Sequence, residues 1–226
     1  MRRMVKSRAA VPRAPGAAQL LPALRERIAR HDLRPGSKLL ENELSREFGV
    51  SRAKVRDAFG ALEQRGLIQR IPNRGAVVTR LDLTQVFQIY DVREMLEGLC
   101  VRLAVQRAEP KSWQDLVRLF GRPMQSLVSE GRFEDYIANL RQLRSRIIEA
   151  ADNRVLADML DSINDKTREI QRRIIILPGR AVEGLKQHRA VIAAMRRGDA
   201  VDAEQLRRAN IRSSRDYLER FQSFVL

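Results

Sequence analysis

Histidine and cysteine are nearly missing from this sequence. Its 226 residues include two histidines, His31 and His188, and one cysteine, Cys100. A lone cysteine excludes an intrachain disulfide framework and a cysteine-built zinc site, and it fits a reducing cytoplasm. Two histidines leave little for acid–base work. No glycine-rich phosphate loop or nucleophile–base pair stands beside them, so an enzyme is not expected. His31, at a helix end before a turn, reads as a surface residue. Aromatics are scarce at 5%, and Leu, Ala, Ile and Val carry most of the 44% apolar content. That balance favours helix packing over a β-sandwich. No apolar run approaches the roughly 18 residues that a transmembrane helix needs.

Positive charge is abundant and unevenly spread. The net charge is +15; residues 1–80 hold 18 Lys+Arg against 7 Asp+Glu, and residues 81–226 hold 25 against 21. A basic N-terminal third ahead of a nearly balanced remainder points to a polyanion-binding module joined to something else. A solvated basic face, or affinity for an acidic membrane, is the plainer alternative. Residues 1–18 are rich in Ala, Pro, Gly and Arg and lack an apolar centre. They read as a disordered basic tail rather than a signal peptide.

Hydrophobic spacing divides the rest. Leu20, Leu24 and Ile28 recur at helical intervals, predicting a helix over 19–31. Arg34-Pro35-Gly36-Ser37 is a turn. A short helix over 41–48 ends at Gly49, and Ser51 caps another over 52–65 that Gly66 closes. Residues 67–71 and 76–79 are two β-prone runs around a Pro72-Asn73-Arg74-Gly75 turn, hence a hairpin. Three helices and a hairpin are the order of a winged helix-turn-helix, spanning 19–80. From Leu83 onward six helices are predicted, over 83–108, 111–129, 133–151, 154–176, 179–197 and 200–224. The fold class is therefore mainly α: a winged helix-turn-helix joined to an all-helical bundle over 81–226.

The helix over 52–65 has the faces of a DNA reader. Val55, Ala58, Phe59 and Leu62 form its inner stripe. Arg52, Ala53, Arg56 and Gly60 lie opposite, basic at the N-terminal end and otherwise small. Such a face enters the major groove with arginines at base edges. Ser51 and the helix N-terminus suit a phosphate, as does Lys54 on the flank. Arg74 and Gly75 at the hairpin tip suit a minor groove. Ordinary exposed helix residues would show the same arginines; the turn, the hairpin and the charge asymmetry weigh against that reading.

Several segments resemble the GntR family of bacterial regulators. They are Leu33 to Leu39, Glu41-Asn42-Glu43-Leu44, Gly49 to Ala58, Leu62 to Ile68 and Pro72 to Val78. The resemblance implies that Ser51, Arg52, Ala53 and Arg56 read or position DNA, and that Gly75 lies at the wing tip. Asn42 departs from the pattern, since many members carry a DNA-contacting Arg there.

The remaining chain resembles the FadR-like subgroup with its all-helical effector domain. Tyr90 to Glu97, Ala150-Ala151-Asp152-Asn153 and His188 to Asp199 carry the resemblance. Many such domains bind a divalent metal through an Asp and three His, and the metal holds a carboxylate effector. Those positions fall here on Leu140, Arg144, His188 and Asn210. One ligand of four survives and a guanidinium would repel the ion, so no metal is expected. Asn139 points away from the helix face and does not replace the lost Asp. Helical spacing sets Arg93, Arg144, His188 and Asn210 mid-face on four helices, aimed at one interior. Either they satisfy one another, Glu97 serving as counter-charge for Arg93, or they clamp a small carboxylate-type effector directly. The expected whole is a cytoplasmic homodimeric regulator, a repressor by family habit, on a pseudo-palindromic double-stranded DNA operator. A sensor that has lost its ligand and a nonspecific nucleic-acid binder are the other readings.

Overall fold

The computed structural model describes residues 17–225, and the expected tail lies outside them but for Ala17 and Ala18. The chain divides into two compact units between Arg80 and Leu81.

In the first unit, α1 (Ala17–Ala29) starts two residues earlier than its spacing suggested and buries Leu20, Leu24 and Ile28. α2 (Glu41–Phe48) stops at Gly49, whose φ of 63° suits a residue without a side chain. α3 (Arg52–Gln64) begins at Ser51, whose side chain accepts the Lys54 N–H at 3.3 Å. Val55, Ala58, Phe59 and Leu62 are its buried stripe, as the period predicts. The wing pairs β1 (Ile68–Ile71) with β2 (Gly75–Val78), antiparallel, with Ile71 opposite Gly75. It has a further edge that the sequence did not reveal. The end of the Arg34–Ser37 turn and the two residues after it bridge to β2, with Leu39 N–H donating to the Ala76 carbonyl and Val78 N–H to the Ser37 carbonyl, both at 2.9 Å. β2 is thus bonded on both sides, and Ala76, Val77 and Val78 are all buried.

The second unit is helical throughout. α4 (Leu83–Arg107) opens with a reciprocal cap: Asp82 accepts from Gln85 N–H at 2.7 Å and the Gln85 side chain accepts from Asp82 N–H at 3.2 Å. The single helix expected over 111–129 is instead a 3-10 turn (Pro110–Trp113), α5 (Gln114–Leu119) and α6 (Arg122–Ser129). Pro123 explains the break. It lacks an N–H and its ring clashes with the preceding turn, so it fits only the first turn of a new helix. Arg189 holds the break by donating to the carbonyls of Phe120 at 2.6 Å and Gly121 at 2.7 Å.

α7 (Phe133–Ala151) buries Tyr136, Leu143, Ile147 and Ala151. Of Phe133, Ile137, Leu140, Ile147 and Ile148, which helical spacing sets on one face, only Ile147 is buried and the other four are half-buried, so the inner face is rotated toward Tyr136 and Leu143. α8 (Arg154–Ile175) is capped by Asn153, and α9 (Arg180–Arg197) lies between Gly179 and Gly198. The last predicted helix divides into α10 (Ala200–Arg220) and α11 (Gln222–Val225).

α4 and α10 pack along their lengths. At Gly98 the approach is so close that a Cβ would stand 2.7 Å from Arg208 Cγ. Ion pairs run antiparallel along the seam: Asp91–Arg215 at 3.5 Å, Glu94 with Arg212 and with Arg208 at 3.1 Å, Glu97–Arg207 at 2.6 Å and Arg102–Glu204 at 3.4 Å. The apolar core continues from α4 through Trp113, Leu116, Phe120 and Met124 to Leu143, Leu160 and Met195. No helix among the described residues is long and apolar enough to cross a membrane.

Candidate functional site

Two places carry chemistry, one in each unit. The first is the exposed face of α3 with the wing. Ser51, Arg52, Ala53, Lys54 and Arg56 are all exposed, as are Arg74 and Gly75 at the hairpin tip. An open depression brings part of this set together: Arg52, Arg56 and Gly75 line it with Lys38, Asn42, Arg46 and Arg70. Ser51, Ala53, Lys54 and Arg74 do not line it. Arg74 bends back to donate to the Gly36 carbonyl at 3.4 Å. Lys54 approaches Asp57 at 3.8 Å. Beside Asn42, Arg46 supplies a guanidinium one turn on.

Glu41 is the residue that sequence reasoning missed here. Both its oxygens accept from Arg56 Nε, at 3.1 and 2.9 Å, and Arg52 Nη2 reaches it at 3.4 Å. The first residue of α2 therefore sets the direction of the two arginines that spacing marked on α3.

The second place is a cavity of about 120 Å³ inside the helical unit. It is smaller than the ~300–1,000 Å³ of drug-sized pockets, so it suits a compact occupant. Arg93, Arg144, His188 and Asn210, from α4, α7, α9 and α10, all line it. Arg141, Arg168, Arg172, Arg180 and Arg207 join them, and no carboxylate lines it.

Its polar groups form a chain. Glu97 accepts from Arg93 Nε at 3.1 Å and from Arg207 Nη2 at 2.6 Å. Arg207 Nη1 donates to Asn210 Oδ1 at 3.0 Å and lies 3.4 Å from His188 Nδ1. Asn210 Nδ2 donates to Gln187 Oε1 at 2.7 Å, and Arg180 Nη1 reaches the same oxygen at 3.3 Å. Arg144 stands apart, donating to Asn164 Oδ1 at 2.6 Å and the Leu160 carbonyl at 2.7 Å. Glu97 is thus the counter-charge expected for Arg93, but Arg207 shares it.

Burial works against the charge on Glu97, yet Arg207 and Arg93 outweigh it and hold the carboxyl far below its usual range. Burial also lowers the guanidinium pKa of Arg144 and of Arg180. His188 is held well below an ordinary imidazole by burial and by the neighbouring Arg207 and Arg180. Arg180 and Arg207 escaped the sequence reading, because an arginine within a helix ordinarily marks the solvent face.

A divalent metal does not fit this donor set. The positions that would hold it carry Leu140, Arg144, His188 and Asn210, and Arg207 sits against the one imidazole. No group of three or more His, Cys, Asp or Glu able to hold a metal occurs among the described residues. Asn139 points instead to Met124, with Nδ2 at 3.4 Å from its sulfur.

Comparison with known proteins matches both units. Residues 17–78 match the bacterial regulatory proteins of the gntR family, and residues 88–213 match the FCD domain. The HTH-type transcriptional regulator YdhC of Bacillus subtilis is 27% identical over 190 residues, 83% of this chain and 84% of that protein. The HTH-type transcriptional repressor RspR of Escherichia coli is 28% identical over 199 residues, 84% of each. Among solved structures, McbR/YncC of E. coli has the same fold, with a TM-score of 0.73 at 20% identity, covering 90% of this chain and 97% of that one. These relatives are transcriptional regulators, not enzymes. The chain belongs to the GntR family of bacterial transcription regulators, with a DNA-binding winged helix-turn-helix followed by an FCD domain.

Proposed function

We propose that this regulator is a cytoplasmic homodimeric repressor whose hold on a pseudo-palindromic operator is set by a small organic anion, bound directly by arginines without a metal. The carrying observation is the charge of the cavity: seven arginines line it and no carboxylate does. Its one buried acid nearby, Glu97, is already shared by two guanidiniums. A charge-assisted contact to an anion in such a site is stronger than one between neutral groups. The E. coli relative named a repressor supports the sign of regulation.

At the DNA, the N-terminal end of α3 enters the major groove with Arg52 and Arg56 at base edges and the small Ala53 beside them, Ser51 and Lys54 along the backbone, and Arg74 and Gly75 at the minor groove. The effector acts by favouring one placement of the paired DNA-binding units. Selecting an operator from random DNA tests the first half: Arg52→Ala and Arg56→Ala should each weaken selected over random DNA by about 1–3 kcal/mol. Equal loss on both DNAs would return the face to nonspecific binding. For the second half, Arg144→Ala abolishes the response of operator binding to ligand, and a variant that still responds overturns the anion reading.

The neutral partners of Arg144 favour a second reading, in which the network is structural and the domain senses nothing. A binding screen in which no anion stabilises the protein selects it.

A further inference from the structure

The anion reading leaves open how many charges the occupant carries, and two arginines bear on this. Arg180 is 94% buried by its 6% exposure. Its Nε has no hydrogen-bond partner and its Nη1 meets only the neutral Gln187 oxygen at 3.3 Å. Its guanidinium carbon lies 5.5 Å from the centre of the Tyr217 ring. Glu183, the near acid, is turned to Gln187 Nε2 at 3.1 Å. A buried guanidinium without a counter-charge is costly, and the fold makes room for it. Gly184, one turn on, lacks the Cβ that would stand 3.0 Å from Arg180 Nη1. A glycine inside a helix costs about 1 kcal/mol against alanine, so space for this guanidinium is kept against the helix's own preference.

Arg144 is the other cation bonded only to neutral groups, and it is anchored on α8 by Asn164 and Leu160. Arg180 comes from the first turn of α9. Both line the same cavity from different walls, while Arg93 and Arg207 already share Glu97. Neither Arg144 nor Arg180 is thus hydrogen-bonded to an acid.

We propose that the cavity takes a compact organic dianion, with one anionic group on Arg144 and the other on Arg180. This rests on the anion reading above and sharpens it to a charge class.

Matched ligands test it on the full chain. Butyrate and valerate are compared with succinate and glutarate by calorimetry and thermal shift. The dianion binds at least about tenfold tighter than the monoanion of equal length, ~1.4 kcal/mol. Arg180→Gln brings that ratio to about one, whereas a merely structural role for Arg180 would weaken both series alike and preserve it. Wild-type protein that binds the two series equally overturns the dianion proposal and leaves the anion reading standing. No binding by either series overturns both.

Discussion

The carboxylate of Glu41 accepts from Arg56 Nε through both oxygens, at 3.1 and 2.9 Å, across a separation of fifteen residues. It joins the start of α2 to the reading face of α3, and Arg52 shares it at 3.4 Å. A carboxylate facing DNA repels phosphate, so its presence there is informative. Holding two arginines in one direction trades general affinity for aim. Glu41→Gln should raise affinity for random DNA and lower the ratio of operator to random binding. Fluorescence anisotropy over a salt series checks this, because the nonspecific component is almost wholly electrostatic.

Gly60 lies on the outer face of α3, and a Cβ there meets nothing within 4 Å. Its helical backbone gains nothing from glycine. Gly60→Ala should stabilise the protein by roughly 0.5–1 kcal/mol, measured as a higher urea midpoint with an unchanged slope.

His188 makes stability depend on pH. Its folded imidazole is held well below the ordinary 6.5 by burial first, then by Arg207 and Arg180. As pH drops through that value, the unfolded chain takes up a proton that the folded chain refuses. The stability present above pH 6.5 is therefore lost progressively below it, by up to about 1.4 kcal/mol per pH unit. Thermal midpoints between pH 8 and 5 should fall more steeply for the native protein than for His188→Gln.

Cys100 is buried, and its thiol is pushed up to about 12 by burial and by Glu97. The thiolate is the nucleophile. A thiol reagent at mild alkaline pH should therefore leave the folded protein unlabelled and react with one thiol per chain in strong denaturant. Fast labelling of folded protein would contradict the packing around α4.

Much of this was legible in the sequence. The inner stripe of α3, its Ser51 cap and the hairpin follow from local rules of period and turn chemistry. So does the convergence of Arg93, Arg144, His188 and Asn210 on one cavity. What escaped depends on distant partners. Arg207 is buried because Glu97, 110 residues away, receives it, and nothing local marks it. The edge at Ser37 to Leu39 is likewise made by its bonds to β2 rather than by its own composition. The break between α5 and α6 was different. Pro123 was visible, and the apolar spacing around it obscured it. On α7, Ile137 and Leu140 line the cavity, and they are apolar enough to pass for core.

The ion pairs between α4 and α10 contain one reversal. Asp91, Glu94 and Glu97 place acids on α4 against arginines, while at the far end Arg102 faces Glu204. Slide α10 by one turn in one direction and Arg102 comes to Arg208, with Glu94 at Asp216. The close seat of Arg208 over Gly98 is lost at the same time. One-turn slips of this kind are a known way for helical proteins to switch. In this pair the pattern of signs opposes one such slip and the packing resists it, so in that direction α4 and α10 move as a single lever rather than as a ratchet.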